Sequence, residues 1–397
     1  MSEFSIPKGY RASGVRAGIK PSGGLDLALI VADAPGAAAG TFTTNRVAAA
    51  PVKWDRELLP SDGIRAIVIN AGNANAATGE VGYQNARRTA EIVADHLQCD
   101  PEGVLVASTG VIGHQLPMDC LEEGIGRGFE ALSYEPSGFN DAANAILTTD
   151  SRPKIVSRRI PLESGKFTLF GMAKGAAMIG PRMATMLGFL ITDARIAPGA
   201  LQGILSRAVD ESFNCISVEG HTSTNDTVLL LAGSNSDRPF LRGDDLKAFS
   251  AVVEDACIEL AKMIPDDGEG ATHRITVDVQ GCRDRDEAEK IARAVADSPL
   301  VKTAIHGADP NWGRIVSAAG YAGIPFAESE MSLRLNGVPL YAEGVPLPFD
   351  AESVSRDLRA NREVHILLSF TRGGASIRFW TCDLTAEYIR LNADYTT

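Results

Sequence analysis

The sequence predicts an α/β protein, and three observations carry that prediction. Short apolar runs of strand length recur along the chain, as at Ile64–Asn70 and Met186–Ile191, each bounded by turn-type residues. Between them lie longer stretches whose apolar residues repeat with helical spacing, such as Tyr83–Leu97 and Leu246–Met263. The composition, 45% hydrophobic and 22% charged over 397 residues, is that of an ordinary globular chain with room for two or three domains.

Composition also excludes some classes. A net charge of -12 argues against a nucleic-acid-binding surface and against anchoring on an anionic membrane. The start, MSEFSIPKGYRASG, has no apolar signal core, and no run approaches the ~18 apolar residues of a membrane span, so a cytoplasmic protein is expected. The 6 cysteines are dispersed, which predicts reduced thiols. The 6 histidines lack ligand spacing, so no metal site is expected. There is no Walker A loop, no dinucleotide-binding glycine fingerprint and no GxSxG elbow.

Taken in order, Leu25–Asp33 and Gly40–Thr44 read as two strands around an Ala34-Pro35-Gly36 turn. Strand Ile64–Asn70 runs into Ala71–Gly79, a loop of small and amide residues that reads as a turn into helix Tyr83–Leu97 or as the lining of a pocket. Strand Gly103–Ala107 ends in Ser108-Thr109-Gly110, which can offer a hydroxyl and a backbone N–H together to a developing oxyanion. The same tripeptide is equally common turn chemistry. Helices Met118–Leu132 and Phe139–Leu147 lead to Thr148-Thr149-Asp150, then to strands Lys154–Ile160 and Lys166–Met172.

The segment Gly171–Arg195 organises the rest. A small-residue run carries the single charge of Lys174, a Gly180-Pro181 turn follows, and Met183-Ala184-Thr185 opens onto the apolar strand Met186–Ile191. A threonine hydroxyl is a weak nucleophile unless a base adjoins it, and an N-terminal threonine supplies its own α-amine, with a pKa of roughly 7.7–8.0. Thr185 would gain that amine if the bond after Ala184 were cut, and its own hydroxyl could attack the Ala184 carbonyl. Taken locally, a threonine entering an apolar strand is also an ordinary β-former.

Further on, Pro198–Phe213 reads as a helix, and the polar loop 214–227, with Thr222-Ser223-Thr224-Asn225-Asp226, precedes strand Val228–Ala232. Helix Leu246–Met263 ends at Pro265, before the acidic, glycine-rich Asp267–Thr272. Strand Ile275–Val279, helix Asp284–Ala296 and strand Val301–Ile305 follow. His306–Arg314 then builds a turn into another helix, with His306 read as structural.

Lys174–Ile179 together with Met183–Leu187 resembles the self-cleavage site of the ornithine acetyltransferases of arginine biosynthesis, a family that also acts as glutamate N-acetyltransferases. The likeness extends from near residue 20 to the last residue and takes in the Thr-Ser-Thr-Asn-Asp loop, Asp267–Thr272 and His306–Arg314. Two places depart from it: Glu219-Gly220-His221 stands where an aspartate-rich form is usual, and His273 where lysine is common.

The resemblance implies stacked sheets between helix layers in a catalytic domain, residues 1–275, and a smaller C-terminal α/β domain, 276–397, whose tail returns to the active site. It implies a cut between Ala184 and Thr185, giving an α chain and a β chain that stay together as an α2β2 heterotetramer. Thr185 is then the nucleophile, Thr109 and Gly110 form the oxyanion hole, and Thr148, Lys174, Glu269, Asn392 and Thr397 join Thr185 in contacting substrate. The substrates are N-acetylornithine and glutamate, in ping-pong acetyl transfer without a cofactor; acetyl-CoA stays open as a further donor. Two other readings remain at this point: an aminopeptidase or amidase of the same fold, and an uncleaved amino-acid-binding protein.

Overall fold

The computed structural model describes residues 4–180, 186–233 and 238–394. The chain divides into two compact units, one of Met1–Asn214 and His221–Ile264, the other of Cys215–Gly220 and Pro265–Thr396. No helix among the described residues is long and apolar enough to cross a membrane.

In the first unit, β1 (Tyr10–Val15) pairs antiparallel with β2 (Leu27–Phe42). The expected pair of strands around Ala34-Pro35-Gly36 is instead this one long strand. Its ladder to the next strand shifts register between Val31 and Gly36, so the missing N–H of Pro35 falls where no regular bond is required. Helix α1 (Ala50–Leu58) and β3 (Ser61–Asn73) follow. Helix α2 (Gly79–Leu97) then carries the chain to β4 (Val104–Val111), parallel to β3. Parallel strands need such a crossover, and a helix supplies it.

Helices α3 (Met118–Glu130) and α4 (Pro136–Ala145) precede the hairpin of β5 (Lys154–Leu162) and β6 (Gly165–Lys174). Strand β7 (Leu187–Thr192), helix α5 (Pro198–Asp210) and β8 (Thr227–Ala232) form a second parallel crossover unit. Hydrogen bonding joins these strands into one eight-stranded sheet, in the order β4-β3-β2-β8-β7-β6-β5, with β1 alongside β2.

Alternation along each strand divides the apolar residues between the two faces of the sheet. Ile30, Ile67, Ile69 and Leu105 share one core with Phe139 of α4 and with Phe170 and Phe189 of β6 and β7. Leu27, Leu29, Val68 and Val106 share another with Ile92 and Val93 of α2 and Leu121 of α3. Burial on both faces explains why the strands read as continuous apolar runs.

Helix α6 (Gly243–Asp266) reaches the division at Pro265, which sits within its last turn rather than beyond its end. In the second unit, β9 (Arg274–Cys282) and α7 (Arg285–Ala296) match expectation, and the domain boundary expected at 275/276 falls inside β9. Residues Val301–Ile305, expected as a strand, belong to helix α8 (Pro299–His306). Helix α9 (Trp312–Gly320) leads to β10 (Met331–Leu335), β11 (Val338–Ala342) and β12 (Val345–Pro346). Helix α10 (Ala351–Ala360), β13 (Glu363–Phe370), β14 (Ala375–Cys382) and α11 (Ala386–Asp394) complete the unit around a six-stranded sheet ordered β12-β11-β10-β13-β9-β14.

Candidate active site

Ser108-Thr109-Gly110 is the end of β4 rather than a free turn, and it pairs in parallel register with Asn70–Gly72 of β3. Gly110 has φ 132°, and a Cβ there would lie 2.3 Å from the Gly72 carbonyl carbon, so only glycine fits. Thr109 is buried beside it, 3% exposed.

Lys174 closes β6 with its side chain 2% exposed, so it is no solvent-facing turn residue. Its Nζ donates to the Thr109 hydroxyl at 3.1 Å. An ammonium can only donate, so the Thr109 oxygen is the acceptor in this bond and its own O–H is directed elsewhere. A hydroxyl oriented by a cation is a preorganised donor of the kind an oxyanion requires.

Around this pair lies a charged network that sequence reading did not assign. The Asp150 carboxylate is fully buried and accepts from Lys154 Nζ and from the Gly175 N–H, both at 2.6 Å, and from the Thr148 N–H at 3.3 Å. Burial alone would push its carboxyl up, but Lys174, Lys154 and these hydrogen bonds outweigh that and hold it below the usual range. Lys20 donates to the carbonyls of Leu25 (2.6 Å) and Ala145 (3.3 Å). Burial lowers its ammonium pKa, with Asp26 and Asp150 opposing and Lys174 adding to the shift. Thr148 is therefore placed by its main chain on Asp150, and Asp150 also fixes Gly175 next to Lys174.

Ala184, Thr185 and Thr397 lie outside the described residues. The peptide N–H that follows Thr185, that of Met186, donates to the buried Asp226 carboxylate at 2.9 Å. Among the described residues no group of three or more His, Cys, Asp or Glu side chains could hold a metal ion. No disulfide joins the cysteines: Cys215, Cys257, Cys282 and Cys382 are buried, Cys99 and Cys120 partly so.

The family model for ArgJ matches residues 11–397. The chain belongs to the ArgJ family. The arginine biosynthesis bifunctional protein ArgJ of Rhodopirellula baltica is 46% identical over 99% of this chain and 96% of its own length. That of Thermus thermophilus is 47% identical over 99% of each chain. The solved ArgJ structure from Bacillus halodurans matches 51% of this chain and 96% of that chain at 39% identity, with a TM-score of 0.49.

In this ArgJ-family chain the remaining expected contacts, Glu269 and Asn392, belong to the second unit, where Asn392 Nδ2 donates to Glu269 Oε2 at 2.8 Å. The departure at His273 is structurally satisfied. Its ring is buried, with Nε2 3.1 Å from the Leu358 carbonyl and Nδ1 3.0 Å from Asp383 Oδ2. Because a carbonyl only accepts, Nε2 carries a proton. Burial would raise the Asp383 carboxyl, but bonds from Thr272 and His273 hold it low. His306 Nδ1 reaches the same carboxylate at 3.2 Å. The polar loop 214–227 is shared out: Glu219 goes with the second unit, whereas Thr222–Asp226 stays with the first.

The residues missed from sequence were Asp150, Lys20 and Asp226, whose carboxylate takes the Met186 N–H. Asp150 had one local signal, a carboxylate ending a Thr-Thr pair between a helix and a strand. The Asn-Asp pair stood inside a stretch already noted for its resemblance.

Proposed function

We propose that this ArgJ-family chain is a self-processing acyltransferase that moves an acetyl group from N-acetylornithine to glutamate in arginine biosynthesis. The observation that carries the reading is the buried Lys174–Thr109 bond beside Gly110, which orients a hydroxyl and encloses a cation at one strand end. Acetyl-CoA enters the scheme as a second acetyl donor, and no bound cofactor does.

In the processing step the Thr185 hydroxyl attacks the Ala184 carbonyl carbon. The C–N bond breaks, the hydroxyl proton passes to the leaving amine, and an ester remains. Water hydrolyses the ester, which leaves a carboxylate on Ala184 and an α-amine on Thr185. In the transfer step that amine takes the hydroxyl proton as the oxygen attacks the acetyl carbonyl of N-acetylornithine. Thr109 O–H and the Gly110 N–H stabilise the oxyanion, and the proton goes to ornithine as it departs. Glutamate's amine then attacks the acetyl-threonine, and the hydroxyl is regenerated. Lys174 suits a substrate carboxylate and Glu269 the ornithine ammonium, with Thr148, Asn392 and Thr397 orienting the ends. The α and β chains associate as an α2β2 heterotetramer.

The test is the denatured intact mass of the protein beside Thr185→Ala, followed by acetyl-transfer assays with N-acetylornithine or acetyl-CoA as donor, with and without glutamate. The expected result is two fragments meeting at Ala184/Thr185 in the wild type only, and glutamate-dependent turnover that falls by about 10³-fold or more in the variant. A full-length wild-type mass, or release of acetate that ignores glutamate, would overturn the reading.

A further inference from the structure

Acyl transfer needs a nucleophile and its oxyanion donors at a fixed separation, yet β7, which follows Thr185 in the chain, and β4, which carries the donors, are not neighbours in the sheet. Thr185 directly precedes Met186 and β7, Thr109 and Gly110 end β4, and β3, β2 and β8 lie between those two strands in the sheet. Two consecutive buried residues before β8 reach both sides. Asn225 Nδ2 donates to the carbonyl of Ser108, the residue before Thr109, at 2.8 Å and to the carbonyl of Ala74 at 2.6 Å. Both partners only accept, so the amide nitrogen faces them, and the Asn225 oxygen takes the Thr224 hydroxyl. Asp226 Oδ1 accepts the Met186 N–H at 2.9 Å. The main chain of the pair is itself anchored, because the Thr43 N–H donates to the Asp226 carbonyl at 2.9 Å.

We propose that Asn225 and Asp226 are positioning residues for acyl transfer, a two-sided clamp that ties the Met186 N–H at the head of β7 to the Ser108 carbonyl next to the Thr109–Gly110 oxyanion donors. The inference rests on the reading of Thr185 as nucleophile. Each side chain makes one hydrogen bond to a main-chain group beside the site, Asn225 to the Ser108 carbonyl and Asp226 to the Met186 N–H, and neither needs to touch substrate. Asp226 is fully buried, and its other oxygen has no hydrogen-bond partner among the described residues. Burial pushes its carboxyl well above the usual range, with the Met186 N–H and Lys174 pulling the other way. Asparagine at this position keeps the shape of the side chain and an oxygen for the Met186 N–H. Misplacement by about an ångström is enough to cost a reaction of this kind about a hundredfold.

The experiment compares full-length Asn225→Ala, Asp226→Ala and Asp226→Asn with wild type in glutamate-dependent turnover of N-acetylornithine, in the extent of the Ala184/Thr185 cut, and in thermal unfolding. The clamp predicts that each alanine variant, while folded, loses about a hundredfold in kcat with KM for N-acetylornithine unchanged within twofold. Asp226→Asn should recover at least tenfold of the loss. Folded alanine variants that keep kcat within threefold, or that lose KM instead, overturn the proposal. If the alanine variants do not fold, Asn225→Asp decides: it keeps the shape but sets an acceptor against both carbonyls, and retained kcat in the folded protein refutes the clamp. A wild type that is cut but transfers no acetyl group sinks the acetyl-transfer reading alone, and the clamp is then judged on the rate of the cut.

Discussion

Asp150 and Lys154 show how much the site depends on one carboxylate that touches no reacting atom. Their ion pair, 2.6 Å long, is formed by side chains 0% and 1% exposed, so removing one partner leaves uncompensated charge. Asp150→Asn should destabilise the protein by about 3 kcal/mol, the low end for breaking a buried pair. Urea unfolding at pH 7 would measure it, and a loss under 1 kcal/mol would show that the lysines find other partners. The sign of the pH dependence follows from the lowered carboxyl. Asp150 binds protons more weakly folded than unfolded, so its contribution is present above the ordinary carboxylate range of about 3.9 and is lost as pH falls through its lower folded value. Between pH 6 and pH 3 the wild type should therefore lose more stability than Asp150→Asn.

Helix α8 is the element whose type the local pattern misjudged. Val301, Thr303 and Ile305 are β-branched at alternate positions, which is the signature of a strand. The fold buries Val301, Ala304 and Ile305 and exposes Thr303, which is helical spacing. Ser298 caps the helix and Pro299 pre-sets its first turn. The buried Lys302 ammonium is satisfied by the Val218 carbonyl at 2.6 Å and the Thr381 hydroxyl at 3.0 Å. Capping geometry also ranks two helix starts. Asp284 accepts the Glu287 N–H at 2.9 Å, whereas Ser298 accepts the Val301 N–H at 3.4 Å. Asp284→Ala should cost about 1 kcal/mol and Ser298→Ala about half that. Equal losses in chemical denaturation would show that bond length does not set the order.

Across the whole chain, the proposed cut has a topological consequence. Strands β1–β6 would belong to the α chain and β7 and β8 to the β chain, yet β8 pairs with β2 and β7 with β6. The two β-chain strands of this sheet thus stand in its middle, hydrogen-bonded to α-chain strands on either side. Phe189 and Leu229 share a core with Phe170 and Ile67 across the same seams. The fragments should therefore co-elute in native size exclusion and separate only when denatured. Separation under native conditions would contradict this strand order.

Most of the elements were legible because burial on both sheet faces writes apolar runs into the sequence, and amphipathic helices write their period. The likeness of the segment around Thr185, and of the matching stretches further along, pointed to the family. What the local pattern could not contain was pairing between distant residues. Lys174 meets Thr109 across 65 residues and Asn225 meets Ser108 across 117, so neither the burial of that lysine nor the task of that amide leaves a local trace. The unbroken β2 and the helical 299–306 were likewise settled by neighbours. A proline is tolerated where a ladder shifts register, and a β-branched stretch turns helical when a cap and a buried face favour it. Sequence determined which chemistry is available and roughly where the chain is extended or coiled. Tertiary structure decided which groups meet, because hydrogen bonds and ion pairs act over a few ångströms and only the fold sets those distances.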